Sequence, residues 1–285
     1  MVNIYAEKGE YGLKAILRNP LSMHEAMQCI EQGIMEIEIN YAKGWKGGNI
    51  DFLKYFPELR ALHLFDVNVD AIEPIHSLNK LLYLKVLHGD NKTIRFNCFP
   101  LLEQCAIKWR PKSESLFNCT GIKDLFIDKF KSSDLSLFGK LKNLERLTLF
   151  NSNSIVNLDF LSKLGELKAL RLARLRKLDS VVGIASCEKL EAIDIDGCGG
   201  FSSLEPLRGL TRLRKIFIEN LGPVESLAPI AKLPRLEWLT FCGTTNILDG
   251  NISVLTENKT LVELGFGDRR HYNYKNSQFH SPQSI

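Results

Sequence analysis

No run of apolar residues in the 285-residue chain approaches the roughly 20 needed to cross a bilayer as a helix. The opening segment, MVNIYAEKGEYGLKAILRNP, lacks the apolar stretch and small-residue cleavage site of a secretory signal. Cysteines number seven, an odd count with no CxxC pair, so no disulfide framework is expected. These absences predict an intracellular, reduced, cytoplasmic protein with no membrane partner. Charge of one sign is scarce as well. The net charge of +4 does not by itself imply a nucleic-acid partner.

Signals for chemistry are equally thin. Asp194-Ile195-Asp196-Gly197 opens like a calcium loop but lacks the later ligands and the terminal Glu. Gly197-Cys198-Gly199-Gly200 is followed by no GKS or GKT, so it is read as a turn. Cys98, Cys105 and Cys119 match no zinc spacing. His63 has no nucleophile beside it in the predicted layout. The expectation is no catalytic residue, no metal, no cofactor and no enzyme activity.

What the chain does contain is a repeat. LERLTL places apolar residues at Leu144, Leu147 and Leu149. The spacing recurs at Leu167/Leu170/Leu172, Leu190/Ile193/Ile195, Leu213/Ile216/Ile218, Leu236/Leu239/Phe241 and Leu261/Leu264/Phe266. Upstream it appears at Ile34/Ile37/Ile39, Leu59/Leu62/Leu64, Leu81/Leu84/Val86, Leu102/Cys105/Ile107 and Ile122/Leu125/Ile127. That makes eleven units, 20 to 25 residues apart. Between strands the apolar residues run three apart, as in Ile155, Leu158, Leu161, Leu164 and Leu167. A period of three fits 3₁₀ turns, which stack side chains at i and i+3. Pro206 and Pro229 sit where a first helical turn tolerates proline. A few of these returns are expected to be short α-helices.

The LxxLxL core, repeated in near-constant register from Ile34 to Phe266, resembles the leucine-rich-repeat family. The resemblance implies an α/β solenoid (a horseshoe) with a parallel concave sheet, a 3₁₀ or short-helical convex side and about eleven repeats. The family pattern also places Asn three positions after the last strand leucine. Here those positions hold Ser152, Leu175, Cys198, Leu221 and Thr244, so the backbone at the bends must be satisfied by other groups. Cys198 is the family-like substitute. Irregular convex segments are expected around Lys92–Phe99 and Arg110–Ser115.

Three parts follow from this register. Residues 1–33 form an N-terminal cap, because a solenoid end exposes core unless covered. Ser22 and Glu25 predict a capping box, with Met23, Ala26, Met27 and Ile30 on one helical face and Gly33 just past the end. That helix is expected to cover the first unit. Residues 34–266 are the repeat domain. Residues 267–285 are a small cap and a tail.

Side chains alternate along a strand, so residues between and after the leucines face outward. They read as three columns on a concave face about 48 Å long for ten steps of about 4.8 Å. The columns carry Phe65, Tyr83, Phe126, Phe150, Phe217 and Trp238. Arg146, Arg171, Asp128, Asp194 and Asp196 add charge of both signs. Aromatics at outward strand positions suit an interface, and mixed charge suits a protein better than a phosphate backbone. These eleven residues are the expected partner-binding set. The partner is expected to be a protein held on the concave face and not a nucleic acid, the unbound chain a monomer, and the open alternatives an immunity-type inhibitor or a scaffolding subunit.

Overall fold

In a computed structural model of the protein, residues 5–65, 68–88 and 92–279 are described. The chain divides into two compact units, residues 1–128 and 129–285. Every one of the eleven predicted cores carries a strand.

In the first unit these are β3 (Ile34–Asn40), β4 (Ala61–Phe65), β5 (Tyr83–Val86), β6 (Gln104–Lys108) and β7 (Asp124–Asp128). They pair in parallel in sequence order. Two strands that the repeat did not predict precede them, β1 (Tyr5–Lys8) and β2 (Leu13–Leu17). This hairpin is antiparallel within itself, and β2 continues the sheet parallel to β3. It therefore covers the sheet edge that β3 would otherwise expose.

Helix α1 (Met23–Glu31) follows, and both arms of the predicted capping box form. The Glu25 carboxylate accepts from the Ser22 N–H at 2.7 Å, and the Ser22 hydroxyl accepts from the Glu25 N–H at 3.3 Å. Gly33 ends the helix at φ +75. The buried face differs from the expected one. Ala26 and Cys29 are buried, whereas Met23, Met27 and Ile30 face solvent. The hairpin already closes the sheet end, so the helix needs only its small-residue side for contact.

The second unit holds β8 (Arg146–Phe150), β9 (Ala169–Ala173), β10 (Ala192–Asp196) and β11 (Lys215–Glu219). Short β12 (Pro223–Val224) and helix α2 (Ala228–Ala231) lead to β13 (Trp238–Cys242), β14 (Asn246–Ile247) and β15 (Glu263–Phe266). The repeat strands pair in parallel in the order β8, β9, β10, β11, β13, β15. The period-three leucines are the hydrogen-bonded corners of 3₁₀ returns. Leu161 donates to Leu158, Leu164 to Leu161 and Leu167 to Leu164, at 3.0, 2.9 and 3.2 Å. All four are buried. Burying such a side chain is worth about 1.5–3 kcal/mol, and the stack repeats that gain in every unit.

The bends lack the asparagine ladder for an identifiable reason. The residue directly after each strand adopts left-handed backbone: Lys129, Asn151, Arg174, Gly197, Asn220 and Gly243, with φ between 51° and 65°. In that conformation its N–H turns toward the next strand's last carbonyl. Lys129 donates to Phe150, Asn151 to Ala173, Arg174 to Asp196 and Gly197 to Glu219, at 2.8 to 3.0 Å. Side chains complete the bends. The Ser152 hydroxyl accepts from the Phe130 N–H at 2.9 Å. Cys198 Sγ lies 3.4 Å from the Leu172 carbonyl, and Thr245 Oγ1 accepts from the Leu221 N–H at 3.2 Å.

A second ladder lies just before the strands. Glu145, Lys168, Glu191, Arg214 and Glu237 alternate in sign from repeat to repeat. Lys168 meets Glu145 at 3.0 Å and Arg214 meets Glu237 at 2.7 Å. Being exposed, each pair adds little stability, but opposite charges on neighbouring strands favour one register.

The expected irregular segments lie in the first unit. Lys112 takes φ +60 before the 3₁₀ turn Ser113–Asn118. Buried Arg110 reaches the carbonyls of Lys108, His88 and Lys92 at 3.2 to 3.4 Å. At the other end, residues 267–279 are well bonded. Tyr272 is buried against Phe241 and Phe266, and Asn273 Oδ1 accepts from the Ile252 and Ser253 N–H groups at 2.9 and 3.0 Å. Residues 280–285 of the expected tail lie outside the described residues.

Candidate partner-binding faces

Strand pairing sets the outward columns within each unit as the repeat register implies. In the first unit Glu36, Ala61, Tyr83, Gln104 and Asp124 are successive partners. So are Glu38, His63, Lys85, Ala106 and Phe126. Asn40 pairs with Phe65, and Lys108 with Asp128.

Much of this face is filled by the protein itself. The β1–β2 turn folds over the start of the sheet, and the Tyr11 N–H donates to Glu36 Oε1. Gln104, three strands further along, donates to Glu10 at 2.6 Å and to the Tyr11 hydroxyl at 3.0 Å. Burial and the neighbouring Glu10 push the Tyr11 phenol up to about 12. Glu36 and Glu38, outward in the column pattern, are consequently buried. Glu38 accepts from Asn40 at 2.9 Å and Lys43 at 2.8 Å, with Lys14 at 3.6 Å. Burial raises its pKa, but these bonds and charges outweigh it and hold the carboxyl below its ordinary range.

His63 is the centre of a small aromatic group. It meets Tyr83 edge-on at 4.8 Å between centroids and stacks beside Phe65 at 6.5 Å. Lys85 Nζ sits 4.5 Å over the Phe65 ring. The His63 Nε2 atom is buried without a hydrogen bond, 3.8 Å from Glu36 Oε2. Burial lowers its pKa to about 4, so the ring is neutral at pH 7. Next to this group Tyr83, Lys85, Gln104, Ala106, Asp124 and Phe126 line a recess of about 140 Å³.

In the second unit the columns are Arg146, Ala169, Ala192, Lys215, Trp238 and Glu263, then Thr148, Arg171, Asp194, Phe217, Thr240 and Gly265. The third holds Phe150, Ala173, Asp196, Glu219 and Cys242. Here every outward residue but Ala173 is exposed or half-buried. Arg171 Nε meets Asp194 Oδ2 at 3.0 Å. Lys215 Nζ lies 3.9 Å over the Trp238 ring, and Trp238 Nε1 donates to Glu263 at 2.8 Å. Arg174 covers Phe150 at 5.3 Å. Asn220 Nδ2 donates to Asp196 at 2.9 Å. Partial burial raises the Asp194 pKa; Arg171 lowers it, while Glu219 and Asp196 add to the rise.

Among the six predicted aromatics only Phe217 is exposed, at 36%. Phe65, Tyr83, Phe126, Phe150 and Trp238 are half-buried. The structure thus unites Phe65 with Tyr83 through His63, and Phe217 with Arg171 and Asp194 by adjacency. Asp128 ends β7 in the first unit and Arg146 opens β8 in the second. Two features escaped the sequence reading: the turn covering Glu36, and the left-handed residues after the strands. The enrichment of Asn and Gly at those positions was the available signal.

No group of three His, Cys, Asp or Glu side chains among the described residues could hold a metal ion. Nor is any described helix long and apolar enough to cross a membrane.

No family model matches the sequence, and no curated protein does. Solved structures do match. An internalin (inlF) from Listeria monocytogenes aligns at TM-score 0.51 and 19% identity, over 87% of this chain and 76% of that one. Internalin C2 (inlC2) from the same organism gives 0.51 and 21%, over 75% and 84%. TLR13 in its complex with ssRNA13 gives 0.61 and 21%, over 90% of this chain but 38% of the TLR13 chain. All three are leucine-rich-repeat proteins, and the fold of this chain is the leucine-rich-repeat fold. As many as 279 solved chains share the likeness, so it identifies an architecture and leaves function to the side chains.

Proposed function

We propose that the protein binds a partner protein through the outward side chains of its repeat strands and performs no chemistry of its own. The observation that carries this reading is Phe217, an exposed aromatic on a regular strand beside the Arg171–Asp194 pair. An apolar ring next to charges of both signs is the composition of an interface centre. Within the second unit Arg146, Phe150, Asp196 and Trp238 serve as its surroundings; Phe65, Tyr83, Phe126 and Asp128 are a separate set of contacts on the first unit. In the TLR13 complex the bound molecule is ssRNA13, so the fold alone does not select protein over nucleic acid. The acids Asp194, Asp196 and Glu219 favour a protein on this face.

The finer reading is an immunity-type inhibitor, a cytoplasmic monomer that silences a toxin by covering it. The alternative is a scaffolding subunit whose partner stays active. The test is affinity capture from the native host at moderate salt, wild type beside Phe126→Glu with Phe217→Glu. A stoichiometric protein retained by wild type and lost by the folded double variant supports the reading. Equal capture by both sinks it. Assaying the captured protein bound and free then separates inhibitor from scaffold.

A further inference from the structure

The bends after the strands carry a pattern that the outward columns do not share. Three successive bends of the second unit read Lys129-Phe130-Lys131, Asn151-Ser152-Asn153-Ser154 and Arg174-Leu175-Arg176-Lys177. They contain five cations and no carboxylate. All five cations are exposed, and among the described residues none has an ion-pair partner. The contrast with the strand starts is sharp, because there Lys168 and Arg214 each face an acid from a neighbouring repeat.

Geometry stacks these bends on one another. Lys129 donates to the Phe150 carbonyl at 2.9 Å and Asn151 to the Ala173 carbonyl at 2.8 Å. The Ser154 hydroxyl donates to the Phe130 carbonyl at 2.8 Å. Between the first two bends lies a recess of about 500 Å³ lined by Lys129, Phe130, Lys131, Asn151, Asn153 and Ser154. Every charged group on that lining is a cation. In the third bend the Arg174 guanidinium lies over the Phe150 ring at 5.3 Å. Past it, Gly197, Gly199 and Gly200 carry no side chain to obstruct the row.

We propose that this bend edge binds single-stranded nucleic acid by its phosphate backbone. Cations without a carboxylate partner among the described residues leave a local excess of positive charge that attracts an anionic polymer. Lys and Arg side chains with amide and hydroxyl neighbours form the usual donor set for phosphate oxygens. A guanidinium held over an aromatic ring also offers a plane on which an unstacked base can lie, which an acidic peptide would not use. The repeat spacing makes the donors a row rather than a spot, so the ligand is a strand. This edge adjoins the third outward column at Phe150 but does not include Phe217, Arg171 or Asp194, so the proposal is tested separately from the protein-binding reading.

The experiment uses the whole chain and a fluorescein-labelled 12-residue oligouridylate, followed by fluorescence anisotropy from about 50 to 200 mM salt. Three to five phosphate contacts predict a slope of log K on log salt between about −2 and −3.5. Lys131→Glu with Arg176→Glu, both exposed and outside the left-handed positions, should weaken binding at least tenfold and flatten the slope by about 1.4. Phe217→Glu should leave it unchanged. Absence of binding at the lowest salt, or equal binding by the charge-reversed variant, overturns the proposal. Tighter binding of a labelled oligoglutamate than of the RNA also overturns it and assigns the edge to an acidic protein segment.

Discussion

The two units use one strand geometry in opposite ways. In the first, the outward positions at the start of the sheet hold Glu36, Glu38 and His63; the β1–β2 turn covers Glu36, while Asn40, Lys43 and Lys14 close on the buried Glu38. In the second, the middle column holds Arg171, Asp194 and Phe217, of which Arg171 and Phe217 are exposed and Asp194 is half-buried. Pattern alone does not decide exposure. A local strap converts an outward position into an inward one, and its charges then have to be matched by specific partners. The first face is consequently a structural feature at its start, while the second is available for recognition.

If that contrast is right, removing one carboxylate from each face should have unequal effects. Glu38→Ala leaves Lys14 and Lys43 beside a partly dry site and should cost about 3 kcal/mol in urea unfolding. Asp194→Ala removes an exposed pair and should cost under about 1 kcal/mol. Equal losses would show that the burial of Glu38 among its partners does not distinguish the faces.

Acid should separate the units by a smaller margin. His63 has a folded pKa of about 4, below the ordinary value of 6.5. The unfolded chain therefore binds the proton first, and stability falls as pH drops from about 6.5 toward 4. Between pH 7.5 and 5 the loss attributable to His63 should be about 2 kcal/mol. The charges around the ring are Glu36, Glu38, Lys14, Lys43 and Lys85. His63→Phe should remove this portion of the acid sensitivity in paired denaturation curves. Glu38 acts lower on the scale: its depressed carboxyl stabilises the fold above the ordinary carboxylate range, and that contribution disappears as pH falls through its folded value. An unchanged curve for His63→Phe would mean that the ring protonates without penalty.

The same physics explains what could be read beforehand. Strand register follows from leucines recurring at Leu144, Leu147 and Leu149 and their equivalents, because stacked identical units have one way to bury them. The 3₁₀ returns follow from the period of three. Hairpin β1–β2 has no repeat to announce it, and Leu13 even remains exposed within it. The face of α1 was misassigned because the larger Met23, Met27 and Ile30 outweigh Ala26 and Cys29 on any hydrophobic count. The aromatic columns were legible in register but not in exposure. Lys85 over Phe65 and Lys215 over Trp238 are cross-strand contacts that depend on rotamers. The basic bends have a simpler reason for being hidden: Lys129, Lys131, Arg174, Arg176 and Lys177 lie outside both the leucine register and the outward columns, so no repeat signal marks them.

That following residue supports the smallest and sharpest test. Gly197 sits in the left-handed ladder at φ +57, with open space where a Cβ would be added. Gly197→Ala therefore meets no clash, and its cost should be the backbone preference alone, about 1 kcal/mol. Gly209 also faces open space but has no positive φ. Gly209→Ala should be neutral or stabilising by a few tenths of a kcal/mol through the unfolded chain. A difference of about 1 kcal/mol between the two, measured by chemical denaturation, would tie stability to the left-handed exit of the strand. Equal effects would mean that the bend can relax out of that conformation, and the N–H ladder from Lys129 to Gly197 would then be a consequence of strand packing and not one of its causes.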